Sequence, residues 1–379
     1  MESKDRIRVL QVVARMNVGG PAILVADLMR SLDSSKFETR LVTGYCNVNE
    51  SDYLDEVARD IQAIRIPGLG RSLSIFKDLK AFYLLIQQIR RFSPDVIHTH
   101  TAKAGVLGRL AGLIARPKAK RIHTFHGHLL HGYFDPRKVQ VIILLEKLLE
   151  LITYKFVAIG TAVRDDLVKA GVGKAKKYEV IYPGLQDLDV YPKHKARAAL
   201  GLATDKIFIV FVGRLTKIKR PDRLIDLARI LKVEHSSANI IVAGAGELHN
   251  DLKDMAVRDS LPLTFLGWRN DIGMILSASN IALLCSDNEG IPLALIQASQ
   301  AALPIVSTDV GSISDIVING TTGILTEVSS WGLIQGVSAL LDDPKLGEKL
   351  GKSGQERARQ YFSSKEMIKR HESLYSQSL

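Results

Sequence analysis

Cysteine is nearly missing from this chain. Cys46 and Cys285 are the only two in 379 residues, and no C-x-x-C occurs. A disulfide framework is therefore not expected, and a reducing cytoplasm is. Long apolar runs are missing as well. The longest apolar-looking segment, Val139 to Ile152, carries Glu146, Lys147 and Glu150 and is too short and too charged to span a bilayer. The opening Met-Glu-Ser-Lys-Asp-Arg has no apolar signal core. The expectation is a cytoplasmic protein, soluble or resting on a membrane without crossing it. No G-x-G-x-x-G appears, which disfavours a dehydrogenase. No nucleic-acid-binding module is recognisable, so nucleic acid is not expected as a partner.

Acidic residues are outnumbered, 40 against 51 Lys and Arg, for a net charge of +11 and a pI of about 9.5. Such a surface attracts phosphates, nucleic acid or an anionic membrane face, and charge alone does not choose among them. At 46% hydrophobic and 24% charged the composition is that of a globular protein. The length allows two or three domains. Strand and helix patterns alternate throughout, which implies parallel sheets with both faces covered. The first half runs from a strand at Arg8 to Val13 to one at Glu179 to Ile181. It includes a helix over Asp52 to Asp60, a long amphipathic helix over 72–92 and a strand over Val96 to His98. Tyr182-Pro183-Gly184 breaks the pattern. Residues 185–205 read as a linker with one short helix, and a second α/β half opens with the strand Ile207 to Val212. The fold class is α/β, with two Rossmann-like domains at 1–184 and 206–362 facing across a cleft. In such sheets ligands bind at the carboxyl ends of strands, where strand order reverses.

The chemistry gathers at those ends. From Cys285 to Gly311 the sequence reads as a strand end, a polar turn, a helix opened by Pro292 at its first position and closed by Pro304, and another strand. Glu289, Gly290 and the amides of Ile291 and Leu293 meet at the helix N-terminus, where free N–H groups and the dipole favour anions. In V-G-R-L-T-K-I-K-R-P, Gly213 ends a strand, and Arg214 and Lys219 both reach over its edge; together they would neutralise a leaving diphosphate. Lys217 and Arg220 read as solvated. In N-V-G-G-P, Gly19 and Gly20 either let a phosphate or sugar come close to the backbone or simply make a tight turn before Pro21. Histidines cluster at 98, 100, 123, 126, 128 and 131. A zinc pattern fails because Ala102 and Lys103 stand where Asp and His are needed, so no metal is expected. His98 reads as structural at a strand end. His126 sits past a strand end, placed to bond a sugar hydroxyl or a developing charge. Asp187-Leu188-Asp189 reads as a solvated turn. Trp268 and Arg269 follow a strand, Trp268 either as rim or as a stacking surface for a nucleobase.

These residues carry a resemblance. N-V-G-G-P (17–21), H-T-F-H-G (123–127), G-R-L-T-K-I-K (213–219), V-A-G-A-G-E (242–247), F-L-G-W-R-N-D-I (265–272) and E-G-I-P-L-A-L-I-Q (289–297) resemble, in order, the motifs of family 4 glycosyltransferases of the GT-B fold. D-V-I-H-T-H-T-A-K-A-G and H-G-Y-F-D-P further resemble bacterial members that build surface polysaccharides. The resemblance implies retaining transfer of a sugar from a nucleotide sugar, a UDP-sugar first, to a saccharide or lipid-linked saccharide, with no cofactor and no essential metal. It also implies a final helix, within 363–379, returning to the first domain. Arg214 and Lys219 match the donor-diphosphate pair, His126 the histidine beside the donor sugar, and Glu289 the first acid of an E-x7-E motif. The amides of Ile291 and Leu293 match those facing sugar or phosphate, and Gly244 and Arg269 fall where the nucleoside is lined. The chain departs from the family at Gln297, where the second acid, which binds the ribose, would stand. The loss of charge-assisted bonding there is worth about 1 kcal/mol. Two other functions fit the same fold: a nucleotide-sugar-binding protein without transferase activity, and a nucleotide-sugar epimerase. On helix 72–92, Arg71, Lys77, Lys80, Arg90 and Arg91 surround Phe76, Phe82, Tyr83, Leu84 and Leu85, a mixture that can dock on an anionic membrane or simply present a basic face to water.

Overall fold

The computed structural model describes residues 6–48, 50–70, 72, 74–127 and 136–378. Arg71, His128, His131 and most of the H-G-Y-F-D-P stretch lie outside the described residues. The chain divides into two compact units, one made of 1–184 with 364–379, the other of 185–363.

In the first unit seven strands form a wholly parallel sheet: β1 Ile7–Val13, β2 Phe37–Thr43, β3 Ala63–Arg65, β4 Val96–His100, β5 Lys120–Phe125, β6 Lys155–Ala158 and β7 Tyr178–Val180. Their order is β3-β2-β1-β4-β5-β6-β7, so the order reverses between β1 and β4. The helices are α1 Gly20–Ser31, α2 Tyr53–Glu56, α3 Ile75–Phe92, α4 Ala102–Ala115, α5 Pro136–Glu150 and α6 Thr161–Lys169. Alternation in β1 feeds two cores. Leu10 and Val12 pack with Leu85, Ile89 and Phe92 of α3 and Ala104 and Ala111 of α4. Val13 packs on the other face with Ala22, Val25 and Ala26 of α1. Arg109, fully buried in α4, holds Glu146 of α5 at 2.7 Å, a paired charge where an unpaired one would be very costly.

The second unit begins with α7 Lys193–Ala199. Its six parallel strands are β8 Ile207–Val212, β9 Ala238–Ala243, β10 Leu263–Gly267, β11 Ile281–Leu284, β12 Ile305–Thr308 and β13 Ile324–Thr326, in the order β10-β9-β8-β11-β12-β13. The helices between and after them are α8 Asp222–Glu234, α9 His249–Arg258, α10 Ile272–Ala278, α11 Leu293–Gln300, α12 Ile313–Ile316, α13 Ser330–Asp342 and α14 Pro344–Tyr361. The last helix, α15 Ser364–Ser376, belongs to the first unit, where it packs against α1.

Four local expectations change. The helix expected over 52–60 is one turn, Tyr53–Glu56, capped by the Asp52 carboxylate accepting from the Leu54 amide. That carboxylate is also tied to Arg65 of β3, which anchors the turn to the sheet edge. β4 continues to His100, so His98 lies inside the strand rather than at its end. Pro292 stands before α11, not within it: its ψ of 122° is extended, and its carbonyl accepts from Leu295 and Ile296. Proline fixes φ but leaves ψ free, so both placements suit it. Finally, α11 ends at Gln300, short of Pro304, because Ala302 turns left-handed at φ 56°. Gly351 of α14 lies against that turn, where a Cβ would come within 2.1 Å of the Ala302 carbonyl oxygen.

Candidate functional site

In the second unit, strand order reverses between β8 and β11, and the two loops at that point are stitched together. Buried Arg223, at the start of α8, donates to the Cys285 carbonyl at 2.7 Å and pairs with Asp287 at 2.8 Å. The Asp287 amide donates to the Ile218 carbonyl at 2.9 Å, and the Cys285 thiol to the Lys219 carbonyl at 3.1 Å. Burial raises the Cys285 thiol well above its ordinary range, so it stays protonated and serves as that donor. Arg220, read as solvated, instead pairs with Asp222 and Asp287, and its φ of 48° lets the loop turn back.

The stitching sets the Lys219 ammonium on the Glu289 carboxylate, with Ser286 donating to the same Oε1 at 2.6 Å. Glu289 is 5% exposed. A carboxylate so buried needs its charge matched, and Lys219 matches it. The ammonium has three N–H donors, so it can hold Glu289 and a second anionic oxygen at once. Arg214 is exposed and makes no ion pair among the described residues. Two cations beside a helix N-terminus can receive an anion of more than one charge, and the carboxylate can accept from hydroxyls. Ile291 is buried just before α11, and Gly290 and Leu293 are half-buried. Gln297, half-buried, is one turn inside α11 on the face of Leu293.

Neighbouring loops press on this edge. The Gly213 amide donates to Ala243 at 3.0 Å, and the Gly244 amide to Gly267 at 2.7 Å. A Cβ on Gly244 would lie 1.8 Å from the Gly213 carbonyl oxygen, so only glycine allows this approach. Trp268 is 55% exposed beyond β10, the edge strand, and Arg269 forms a two-pronged pair with Asp271. No contact joins either residue to Lys219 or Glu289 among the described residues. Asp187 and Asp189 are exposed in the segment leading to α7. Among the described residues no group of three His, Cys, Asp or Glu is placed to hold a metal ion.

The first unit holds the other candidates, Gly19 capping and Gly20 opening α1, and His126 after β5. His126 Nε2 lies 2.9 Å from His100 Nδ1, whose other nitrogen lies 2.8 Å from Gln11 Oε1. Burial, then the field of His371, pulls the His126 imidazole down to about 3. Sequence reasoning did not find Ser286, Arg223, Asp287 or Gln11. Of these, Ser286 and Asp287 stood in the quoted turn and could have been weighed as partners of Glu289.

Two parallel-sheet Rossmann-like domains are the architecture of the GT-B class of sugar-transferring enzymes. Known proteins agree. The family model described as Glycosyltransferase Family 4 matches residues 18–187, and that described as Glycosyl transferases group 1 matches residues 192–357. An Escherichia coli UDP-Gal:alpha-D-GlcNAc-diphosphoundecaprenol alpha-1,3-galactosyltransferase is 31% identical over 74% of this chain and 73% of its own length. The Staphylococcus aureus capsular polysaccharide biosynthesis glycosyltransferase CapM is 24% identical over 84% and 86%. Among solved structures, Anabaena HepE in complex with UDP-glucose superposes with a TM-score of 0.82 at 21% identity, covering 98% of this chain and 100% of that one. The chain belongs to the family 4, group 1 glycosyltransferases, and it is a GT-B enzyme of polysaccharide biosynthesis.

Proposed function

We propose that this enzyme transfers a sugar from a UDP-sugar to a lipid-linked saccharide, with retention at the anomeric carbon and without an essential metal. The observation that carries the reading is the Lys219–Glu289 pair at the β8/β11 reversal, with Arg214 exposed in the same loop after β8 and in no ion pair among the described residues. Lys219 and Arg214 take the diphosphate, and the charge that grows on it as the C1–O bond breaks is stabilised there more than in the ground state. The acceptor oxygen bonds to C1 on the same face, and its proton passes to the departing phosphate oxygen. Glu289 accepts from hydroxyls of the donor sugar, the Ile291 and Leu293 amides face sugar or phosphate, and Gln297 takes the ribose. Gly213, Gly244, Trp268 and Arg269 line the nucleoside, Gly19 and Gly20 admit the substrate close to the backbone, and His126 bonds a substrate hydroxyl. The cations perform the task a divalent ion has elsewhere. The choice of UDP and of a lipid-linked acceptor is supported by the relative that uses UDP-Gal and a diphosphoundecaprenol acceptor, and by the UDP and UDP-glucose held by HepE.

An assay of UDP release across UDP-sugars, with and without a diphosphoundecaprenol-linked saccharide, tests this. The expected result is slow release alone, faster release with acceptor, insensitivity to EDTA, and a product of unchanged anomeric configuration. Lys219→Ala lowers kcat by about 100-fold or more. Full activity in that variant removes Lys219 from the scheme, and a sugar isomer appearing without UDP favours an epimerase.

A lipid-linked acceptor also asks for a surface that meets lipid. On α3 the expected apolar set is partly core: Leu85 is buried, and Phe82 and Leu84 pack against it. Phe76, Leu79 and Tyr83 face outward instead. α3 packs along α4, and α4 along α5, whose Ile114, Leu144 and Leu148 are also exposed. Exposed Lys77 and Lys80 lie on α3, Arg116 and Lys118 just after α4, and Arg137 and Lys138 at the start of α5, and no Asp or Glu occurs from Val96 to Phe134. Apolar and basic side chains together suit the face of an anionic bilayer. Among the described residues no helix is long and apolar enough to cross one.

A further inference from the structure

Polar side chains from three neighbouring strands stand in one row beneath α15. Gln11 of β1 is in register with His98 of β4, and His100 of β4 with Thr124 of β5, so all four side chains lie on one face of the sheet. His126 follows two residues after Thr124. Tyr375 of α15 closes the row from above. All but His126 are almost fully buried, among apolar strands that offer no water to complete their bonds.

The bonds form a directed chain. Gln11 Nε2 donates to Tyr375 Oη at 3.0 Å, and its Oε1 lies 2.8 Å from His100 Nε2. An amide oxygen accepts only, so His100 carries its proton on Nε2. His100 Nδ1 is then a bare lone pair, 2.9 Å from His126 Nε2, which must donate to it. A neutral imidazole holds one N–H, so the proton on Nε2 leaves His126 Nδ1 bare. That atom is buried within a partly exposed residue and has no hydrogen-bond partner among the described residues. The Tyr375 hydroxyl, receiving from Gln11, donates to His98 Nδ1 at 2.7 Å, and His98 Nε2 donates to Thr124 Oγ1 at 2.6 Å. The rings stay neutral because burial, then the fields of neighbouring histidines, lowers each of them. His371 lies nearby with its Nδ1 bonded to the Met367 carbonyl, so it does not enter the chain.

We propose that Gln11, acting through His100, is a positioning residue that fixes His126 as the Nε2–H tautomer, so that its bare Nδ1 accepts a hydrogen bond from a substrate hydroxyl. Gln11 does not touch substrate. It converts the fixed polarity of an amide into the polarity of a ring two bonds away. The inference rests on the reading of His126 as a substrate contact, but the tautomer itself does not.

Nitrogen-15 labelling of the histidines in the full chain, with His126 assigned by the signals lost in His126→Ala, reads the tautomer without substrate at neutral pH. Wild type is expected to show His126 with Nε2 protonated and Nδ1 bare. Gln11→Leu, which removes the acceptor, is expected to give a mixture of tautomers and to lower kcat/KM for the donor about tenfold, chiefly through KM. In Gln11→Glu the buried carboxylate draws a second proton onto His100, which then donates to His126 Nε2 and moves the His126 proton to Nδ1. A protonated Nδ1 in wild type, or a His126 tautomer unchanged in both variants, overturns the proposal. The wild-type spectrum decides even if a variant fails to fold. If His126→Ala leaves kcat/KM intact while the tautomer is as expected, the substrate-contact reading of His126 fails and the control of its tautomer by Gln11 stands.

Discussion

Gln297 is the residue that the proposed donor site places at the ribose. It sits one helical turn beyond the amides that open α11, half-buried, with no side-chain partner among the described residues. In the proposed site an amide would make neutral hydrogen bonds to ribose hydroxyls, where a carboxylate would make charge-assisted ones worth about 1 kcal/mol more. Gln297→Glu is expected to tighten UDP binding about fivefold in calorimetry. Weaker binding would show that the amide is fitted to its ligand here. At this scale the sequence revealed the charged residues, since Arg214, Lys219 and Glu289 stand out in loops between apolar strands. Their partners stayed hidden. Nothing in the spacing of Ser286 or Arg223 says that one bonds Glu289 and the other clamps the loop that carries it. Those contacts depend on two strands being neighbours, and strand order is not written in any local window.

Elements were more legible than their ends. Periodicity located nearly every strand and helix, because a buried parallel strand and an amphipathic helix leave different marks. It missed where packing overrode local signals, as at Ala302, where α14 presses on the turn that ends α11. Periodicity also left open which side of α3 is covered. Leu84 and Leu85 go inward and Ile75 and Leu79 outward, which depends on where α4 lies. The outward apolar residues of α3, α4 and α5 lead to a prediction at this scale. The enzyme is expected to co-sediment with phosphatidylglycerol-rich liposomes at low salt and to release as salt rises. Replacing Phe76, Leu144 and Leu148 together by Asp abolishes co-sedimentation while UDP release in solution continues. Indifference of the wild-type enzyme to such liposomes would refute docking.

For the whole molecule, the histidines set a limit on acid tolerance. Burial first, then neighbouring charged groups, holds His98, His100 and His123 well below their ordinary value of 6.5 and His126 at about 3, and burial alone, against the bond to the Met367 carbonyl, holds His371 at about 4. A folded value below the unfolded one means that the unfolded chain binds protons first as pH falls. Stability is therefore unaffected above 6.5 and is lost as pH drops below it, by up to about 1.4 kcal/mol per pH unit for each ring kept neutral. The first unit is expected to melt several degrees lower at pH 5 than at pH 7.5, by scanning calorimetry, with the second unit shifting less. An unchanged first transition would show that the rings charge within the fold. The two α/β halves were legible at this scale, because alternation of strand and helix repeats over each. The company α15 keeps was not legible from the residues alone, since a polar, amphipathic last helix suits either unit.

That company has a consequence for how the protein is made. The second unit is one unbroken length of chain, whereas the first is completed only by α15, which leaves the ribosome after the whole of the second. Until then Tyr375 is not yet above Gln11 and His98, and Ser364 is not yet bonded to Asp27. The unit synthesised first is thus the unit finished last, and a nascent chain stopped at Ser363 carries one domain ready to fold and another waiting with its polar row uncovered.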